Sequence, residues 1–143
     1  MEEKFMELHE MFKSLEAVYR AKVKEVLDQL QLSGVEYRFL KKLPENERLT
    51  ISEISQRIEK HNSNTTAIVD NLEKKGYIKR VNDTNDRRII RIEYTDVGKM
   101  NRIKVLDEFA KGICKFLNDV PEDILKQSYV CMKYFIDKLG PTE

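Results

Sequence analysis

The sequence predicts a mainly α-helical protein with a small β-hairpin. Three observations lead to this prediction. Apolar residues recur at intervals of three and four along most of the 143 residues, as on one face of a helix. Two helical stretches between Thr50 and Gly76 are separated by a short polar break. Alternating apolar and polar residues follow from Arg88 to Tyr94, after a charged turn. Together they indicate a winged helix-turn-helix embedded in a helical dimerisation region.

Composition limits the class of protein. With 41% hydrophobic and 36% charged residues, the chain suits one soluble domain with a moderate core. The N-terminus is acidic and has no unbroken apolar run, so we expect neither a signal peptide nor a membrane span. We therefore expect a cytoplasmic protein without a membrane partner.

A long first helix is predicted from one apolar stripe. Its members are Phe5, Leu8, Phe12, Leu15, Tyr19, Val23, Val26 and Leu30. Ser33 with Glu36 fits a capping box, so a second helix should begin near Gly34 and run to about Leu43. Residues 44–48 form a turn-forming, polar connection.

The next two helices form the predicted helix-turn-helix. Thr50 with Glu53 is a second capping box, and it opens a helix with inward positions Ile51, Ile54 and Ile58. The apolar pattern stops between Glu59 and Ser63. A fourth helix then runs to Gly76, which can adopt the left-handed conformation that closes a helix.

The predicted hairpin has strands at 77–81 and 88–94, joined by a turn at 82–86. In the second strand, Ile90, Ile92 and Tyr94 fall on one face. The opposite face holds Ile89, Arg91 and Glu93. This alternation indicates a strand that is buried on one side only.

Two further helices complete the chain. Thr95 can cap a helix that runs to about Asn118, and Pro121 suits the first position of a last helix. The apolar stripe of that last helix comprises Leu125, Tyr129, Met132, Phe135, Ile136 and Leu139.

The terminal helices predict a homodimer. Their apolar stripes exceed what a small winged domain can cover, and a large exposed apolar patch usually marks an interface. We therefore assign residues 1–32 and 99–143 to dimerisation and residues 33–98 to DNA binding, as parts of one compact chain. The alternative is that the three helices fold onto one another in a monomer.

Positive charge is concentrated where DNA would bind. The net charge is only +1, but residues 61–104 hold 10 Lys or Arg and 6 Asp or Glu. Such a basic segment is the electrostatic footprint of nucleic-acid binding, although a solvated basic face is a common alternative.

The start of the fourth helix holds the candidate base-reading residues. They are Asn62, Ser63, Asn64, Thr66, Ala67 and Asp70. Short amides and hydroxyls at a helix N-terminus can bind phosphates and read base edges. Asn62 and Ser63 could equally be ordinary N-caps. Asn64, Thr66 and Ala67 lie opposite Ile68 and Leu72 on the helix, and so face solvent or DNA.

The hairpin holds the candidate wing residues. They are Lys79, Arg80, Asp86, Arg87, Arg88 and Arg91. Asp86 and Arg88 are two apart in an extended segment, so Asp86 could brace an arginine that reaches the DNA backbone or the minor groove. The alternative is a polar hairpin tip with incidental charges.

The combined motifs resemble the MarR (multiple antibiotic resistance regulator) family. They are Thr50-Ile51-Ser52-Glu53-Ile54, then the run Thr66–Ile78, then Asp86-Arg87-Arg88, then Thr95-x-x-Gly98. The resemblance covers residues 49–98 and implies a homodimeric winged-helix regulator, usually a repressor, on pseudo-palindromic operators. It implies that Asp86 and Arg88 fill the family's Asp-x-Arg positions, with Arg88 entering the minor groove. Many relatives release DNA when a small aromatic acid, a lipophilic compound or an oxidant acts.

Three residues depart from the family pattern. Lys60 and Thr65 stand at helix-turn-helix positions that are usually apolar, and Tyr94 stands where leucine usually precedes the threonine. These departures concern the packing and tilt of the recognition helix.

Other chemistry has no strong signal. Cys114 and Cys131 lie among apolar neighbours on predicted helices, so we expect buried free thiols rather than a disulfide or a redox sensor. His9 and His61 are the only histidines, and no cluster has metal-ligand spacing. No phosphate loop or nucleophile–base pair is present, so we expect no enzyme and no cofactor. A winged-helix protein-interaction module without specific DNA binding is the alternative function.

Overall fold

The computed structural model describes residues 1–140, except for the side chain of Ser63. Over these residues the chain forms six helices and one two-stranded antiparallel sheet, as the sequence predicts. The elements are α1 (Glu2–Gln29), α2 (Gly34–Lys42), α3 (Ile51–Ile58), α4 (Asn62–Lys74), β1 (Ile78–Asn82), β2 (Ile90–Tyr94), α5 (Asp96–Lys115) and α6 (Glu122–Leu139). The chain divides into two compact units, Met1–Ile113 and Cys114–Glu143.

Both predicted capping boxes are confirmed. Ser33 Oγ accepts the backbone N–H of Glu36 at 3.2 Å, and the Glu36 carboxylate accepts the backbone N–H of Ser33 at 2.7 Å. Thr50 and Glu53 make the same reciprocal pair at 3.3 and 2.7 Å. Each box satisfies N–H groups that the first turn of a helix leaves without partners, which fixes where α2 and α3 begin.

The predicted end of α4 is also confirmed. Gly76 has φ +79, and its N–H bonds to the carbonyl of Glu73 at 2.9 Å. The N–H of Tyr77 bonds to the carbonyl of Leu72 at 2.9 Å. This pair of bonds is a Schellman motif, which turns the chain out of the helix and into β1.

The first hairpin strand is shifted by one residue from the prediction, the second is two residues shorter, and the loop is longer. The register pairs Ile78 with Tyr94 and Asn82 with Ile90, so the loop occupies residues 83–89 instead of 82–86. The carboxylate of Asp83 accepts the backbone N–H groups of Asn85 and Asp86 at 2.8 and 3.1 Å. These hydrogen bonds within the loop take the place of hydrogen bonds between the two strands, so the strand pairing ends at Asn82 and Ile90.

The core of the first unit lies between α2, α3, α4 and the hairpin. Its most deeply buried side chains are Phe39, Leu40, Ile54, Ile58, Thr65, Val69 and Leu72. In β2, Ile92 and Tyr94 are buried as predicted, whereas Ile90 is exposed because it lies next to the loop. Leu49 exchanges two backbone hydrogen bonds with Ile92, at 2.7 and 3.1 Å, and so ties the segment before α3 to the sheet.

The start of α5 packs closely on the hairpin. Thr95 caps the helix as predicted, with its Oγ1 2.8 Å from the N–H of Gly98. A Cβ atom at Gly98 would lie 1.8 Å from the carbonyl oxygen of Tyr77, so only glycine fits there. The helix ends at Lys115, three residues before the predicted end, because a turn in which Leu117 N–H bonds to the Cys114 carbonyl follows.

The second unit differs from the sequence prediction at two points. Pro121 is the residue that precedes α6 and not its first helical residue. Both cysteines are exposed in this single chain, so the prediction of buried thiols is wrong for Cys114 and Cys131. The apolar neighbours that suggested burial are not buried themselves. Helix α6, which carries Cys131, has no buried residue, and near Cys114 Ile113 is half-buried and Leu117 is exposed.

Residues 1–140 contain neither a candidate membrane span nor a candidate metal site. Among these residues, no helix is long and apolar enough to cross a membrane. No group of three or more His, Cys, Asp or Glu side chains in the described part of the chain could hold a metal ion.

Candidate functional site

The helix-turn-helix has a turn of three residues between α3 and α4. Glu59 adopts a left-handed conformation with φ 56, and the N–H of Lys60 bonds to the carbonyl of Ser55 at 3.0 Å. His61 is the N-cap of α4, in an extended conformation and without a capping hydrogen bond from its side chain. The alternative that Asn62 and Ser63 are N-caps is therefore wrong, because both lie inside the helix.

Helix α4 has one buried and one exposed face. Thr65, Ile68, Val69 and Leu72 point into the core. The predicted base-reading residues Asn62, Asn64, Thr66 and Ala67 are all exposed. The side chain of Ser63 lies outside the described residues. The exposed face therefore presents short amide, hydroxyl and methyl groups, which suit contacts with base edges.

Asp70 and Arg80 bind each other. Arg80 Nη2 lies 2.5 Å from Asp70 Oδ1, and Arg80 Nη1 binds the carboxylate of Glu73. The Asp70 hydrogen bond is the main cause of a raised pKa of Arg80. Both residues are predicted to contact DNA, and in this structure their ion pair also attaches β1 to α4. This attachment fixes the wing relative to the recognition helix.

Arg91, in β2, binds the hairpin loop of residues 83–89, which we call the wing loop. Its Nε binds the carboxylate of Asp83, and its Nη1 donates to the carbonyl of Arg48 at 3.1 Å. The hydrogen bond from Arg91, together with the N–H groups of Asn85 and Asp86, lowers the pKa of Asp83 to about 2. Arg91 therefore stabilises the loop conformation through Asp83, and only 28% of the Arg91 side chain is exposed.

Asp83 organises the hairpin loop and is not among the residues that the sequence analysis predicts for the site. Its carboxylate joins Arg91 to two backbone N–H groups of the loop. A signal was present, because an aspartate side chain in a turn typically accepts the backbone N–H of the residue two positions further on.

Lys79 is also paired within the chain. It lies directly opposite Glu93 in the hairpin, and its Nζ is 3.1 Å from Glu93 Oε1. Arg48 binds the other carboxylate oxygen at 2.5 Å. Burial raises the pKa of Glu93, but the hydrogen bonds from Lys79 and Arg48 outweigh burial and lower it. A cross-strand pair of this kind stabilises the base of the hairpin.

The tip of the wing presents the remaining positive charge. Asp86 Oδ1 accepts both the backbone N–H of Arg88, at 3.0 Å, and its side-chain Nε, at 3.2 Å. Arg88 is 92% exposed in spite of these bonds. Arg87 is exposed as well, and it makes no ion pair with any residue that the structure describes. Of the six wing residues, Asp86, Arg87 and Arg88 thus form an outward-facing group.

Comparisons with known proteins point to one family. A family model described as the MarR family matches residues 32–90. The transcriptional repressor MdtR of Bacillus subtilis (strain 168) is 30% identical over 118 residues, which are 80% of this chain and 76% of MdtR. The crystal structure of YusO from Bacillus subtilis is 25% identical, with a TM-score of 0.75 over 91% of this chain and 94% of YusO. The structure of a MepR–DNA complex from S. aureus shares the fold at 19% identity, with a TM-score of 0.66 over 90% and 96% of the two chains.

Proposed function

Because the chain belongs to the MarR family of DNA-binding transcription regulators, and is not an enzyme, we propose that it acts as a homodimeric repressor of pseudo-palindromic operators. A small molecule or another signal relieves this repression. The relative MdtR is a transcriptional repressor, which supports the proposed direction of regulation.

The exposed Arg88 beside Asp86 is the observation that carries the proposal. Asp86 holds the guanidinium from one side and leaves it in solvent, where the negative potential of a narrow minor groove would attract it. In this proposal α4 enters the major groove, where Asn64, Thr66 and Ala67 meet base edges. Arg87 adds a phosphate contact. The anchored residues Asp70, Lys79, Arg80 and Arg91 position the wing.

The homodimer is supported by the apolar side chains that the terminal helices leave in solvent. On α1 these include Phe5, Met11, Leu15 and Val18. On α6 they include Tyr129, Val130, Ile136 and Leu139. Apolar surface of this extent is typical of an interface. We assign residues 1–32 and 99–143 to dimerisation and residues 33–98 to DNA binding, with two half-sites about one helical turn apart, roughly 34–36 Å.

The proposal that a small-molecule effector binds is supported by a groove of about 780 Å³ within the first unit. The rings of Tyr37 and Phe109 stack there with centroids 4.1 Å apart. Three cations from α2 line the same groove: Arg38, Lys41 and Lys42. Aromatic walls beside positive charge suit a small aromatic acid.

Selection from a random duplex pool tests the proposal. The purified protein is expected to enrich an inverted repeat with half-sites about one turn apart. Binding of selected sites is then titrated at several salt concentrations, with and without small aromatic acids. Weak binding that ignores sequence would reject specific operator recognition and favour a protein-interaction module. Tight binding that no candidate compound weakens would remove aromatic acids as the effector class.

A further inference from the structure

Two buried hydroxyl groups join the two helices of the helix-turn-helix. Ser55 of α3 and Thr65 of α4 are both buried, and their side-chain oxygens are 2.8 Å apart. Among the buried residues of the described chain, Glu36, Ser55 and Thr65 are the polar or charged ones. Thr65 occupies a helix-turn-helix position that is usually apolar in the family that the sequence resembles, and Ser55 supplies its partner on the neighbouring helix.

Each hydroxyl also has an acceptor within its own helix. Ser55 Oγ is 2.8 Å from the carbonyl oxygen of Ile51, and Thr65 Oγ1 is 3.1 Å from that of His61. A hydroxyl carries one proton, so when the two side chains bond to each other, the bonds run either from Thr65 through Ser55 to Ile51, or from Ser55 through Thr65 to His61. Each hydroxyl could instead donate to its own backbone carbonyl. The bond between the helices is therefore not required to satisfy either buried hydroxyl.

The bond between the helices instead restrains the position and rotation of α4 relative to α3. An O–H···O bond weakens steeply when its length or angle departs from the optimum, whereas apolar contacts tolerate sliding. Thr65 sits between Asn64 and Thr66, which lie about 100° to either side on a helix of 3.6 residues per turn. Fixing Thr65 against α3 therefore fixes the direction in which both exposed side chains point.

We propose that the Ser55–Thr65 hydrogen bond determines base preference by setting the rotation and position of α4, without either residue touching DNA. This inference rests on the proposed use of α4 to read bases. Ser55 and Thr65 act as positioning residues. When the bond is lost, α4 samples more orientations, and the contacts of Asn64 and Thr66 with base edges become less selective.

The test compares two substitutions that separate the hydroxyl from the methyl group. Thr65→Val keeps the shape and removes the hydroxyl, and Thr65→Ser keeps the hydroxyl and removes the methyl. Ser55→Ala removes the partner, and a double variant combines Ser55→Ala with Thr65→Val. The single variants are expected to fold because each remaining hydroxyl retains its backbone acceptor, and the double variant because it leaves no buried hydroxyl without a partner. Urea unfolding measures the stability of each one.

Base preference is measured as the affinity for the selected operator divided by the affinity for single-base variants of it. We expect Thr65→Val, Ser55→Ala and the double variant to lower this ratio by the same factor, about threefold to tenfold. Thr65→Ser is expected to keep the wild-type ratio while losing stability. A wild-type ratio in Thr65→Val, or an equal loss in Thr65→Ser, would show that packing and not the hydrogen bond sets the preference.

A separate measurement distinguishes failure of this inference from failure of the proposed function. Asn64→Ala tests whether α4 reads bases at all. If the wild-type protein selects no sequence, base reading by α4 is rejected and the inference with it. The same conclusion follows if Asn64→Ala and the Thr65 variants all keep the wild-type base preference. Changed preference in Asn64→Ala with unchanged preference in Thr65→Val would reject the inference alone.

Discussion

Lys75 at the end of α4 binds the buried carboxylate of Glu36 at the start of α2. The Lys75 ammonium donates to the two carboxylate oxygens at 2.9 and 3.0 Å, and to the carbonyl of Gln31 at 2.8 Å. Gln31 is the left-handed residue that follows α1, with φ 56. One cation thus joins the recognition helix to the end of the proposed dimerisation helix.

Removing this cation is expected to destabilise the protein. Only 4% of the Glu36 side chain is exposed, so Lys75→Met leaves a buried carboxylate with the bonds from Ser33 alone. We expect a loss of about 1–3 kcal/mol in the free energy of unfolding, measured with urea. The matched control is Lys74→Met, because Lys74 is the exposed neighbour on the same turn. Equal changes in the two variants would contradict a specific role for Lys75.

The pH dependence of the wing follows from Asp83. Its pKa is lowered from 3.8 to about 2, chiefly by the hydrogen bond from Arg91. A lowered carboxyl pKa contributes stability that is fully present above 3.8 and is lost as the pH falls towards about 2. NMR titration of the side-chain carboxyl carbon is expected to give a midpoint near 2 in the wild type. In Arg91→Gln the midpoint should return towards 3.8, and an unchanged midpoint would contradict the proposed brace.

Arg88 is expected to contribute to DNA binding through its charge. Arg88→Ala should lower affinity and reduce the slope of log affinity against log salt by about one, since one phosphate contact or groove contact is lost. Arg88→Lys keeps the charge and should restore the slope. Lys111→Ala, an exposed cation on α5, is the control outside the proposed interface. An unchanged slope in Arg88→Ala would remove this residue from the proposed contact.

Asn64 is expected to contribute to the preference of the protein for its operator over other DNA sequences. An amide on the exposed face of α4 can form paired hydrogen bonds with adenine, so Asn64→Ala should relax preference at one position of each half-site, by about 1–3 kcal/mol. Binding to unrelated duplexes should change less. Competition assays with single-base operator variants measure the difference. A uniform loss across all sequences would instead identify Asn64 as a backbone contact.

The proposed dimer predicts a change of mass on substitution in α6. Ile136→Glu introduces a charge on an exposed apolar side chain and should convert the dimer to a monomer, as measured by light scattering after gel filtration. Lys138→Glu is the control, because a residue two positions further lies about 200° around the helix. A dimer that persists in Ile136→Glu would exclude this part of α6 from the interface.

Features fixed by near neighbours in the chain could be predicted from the sequence. The capping boxes at Ser33 and Thr50, the helix end at Gly76 and the pairing of Asp86 with Arg88 each involve residues two to five positions apart. Such contacts form within one helix end or one loop, so spacing alone indicates them. The same holds for the element order and for the exposed face of α4.

The tertiary structure decided which charged side chains are paired within the chain and which remain exposed. Arg80, Arg91 and Lys79 looked equivalent to Arg87 and Arg88 in the sequence. Their carboxylate partners lie 7 to 38 positions away, and no spacing rule identifies them. The same limit applies to Lys75 and Glu36, 39 positions apart, and to the buried hydroxyls of Ser55 and Thr65. Local interactions thus determine where each helix and strand begins, whereas long-range contacts determine which side chains are anchored and which can reach a partner.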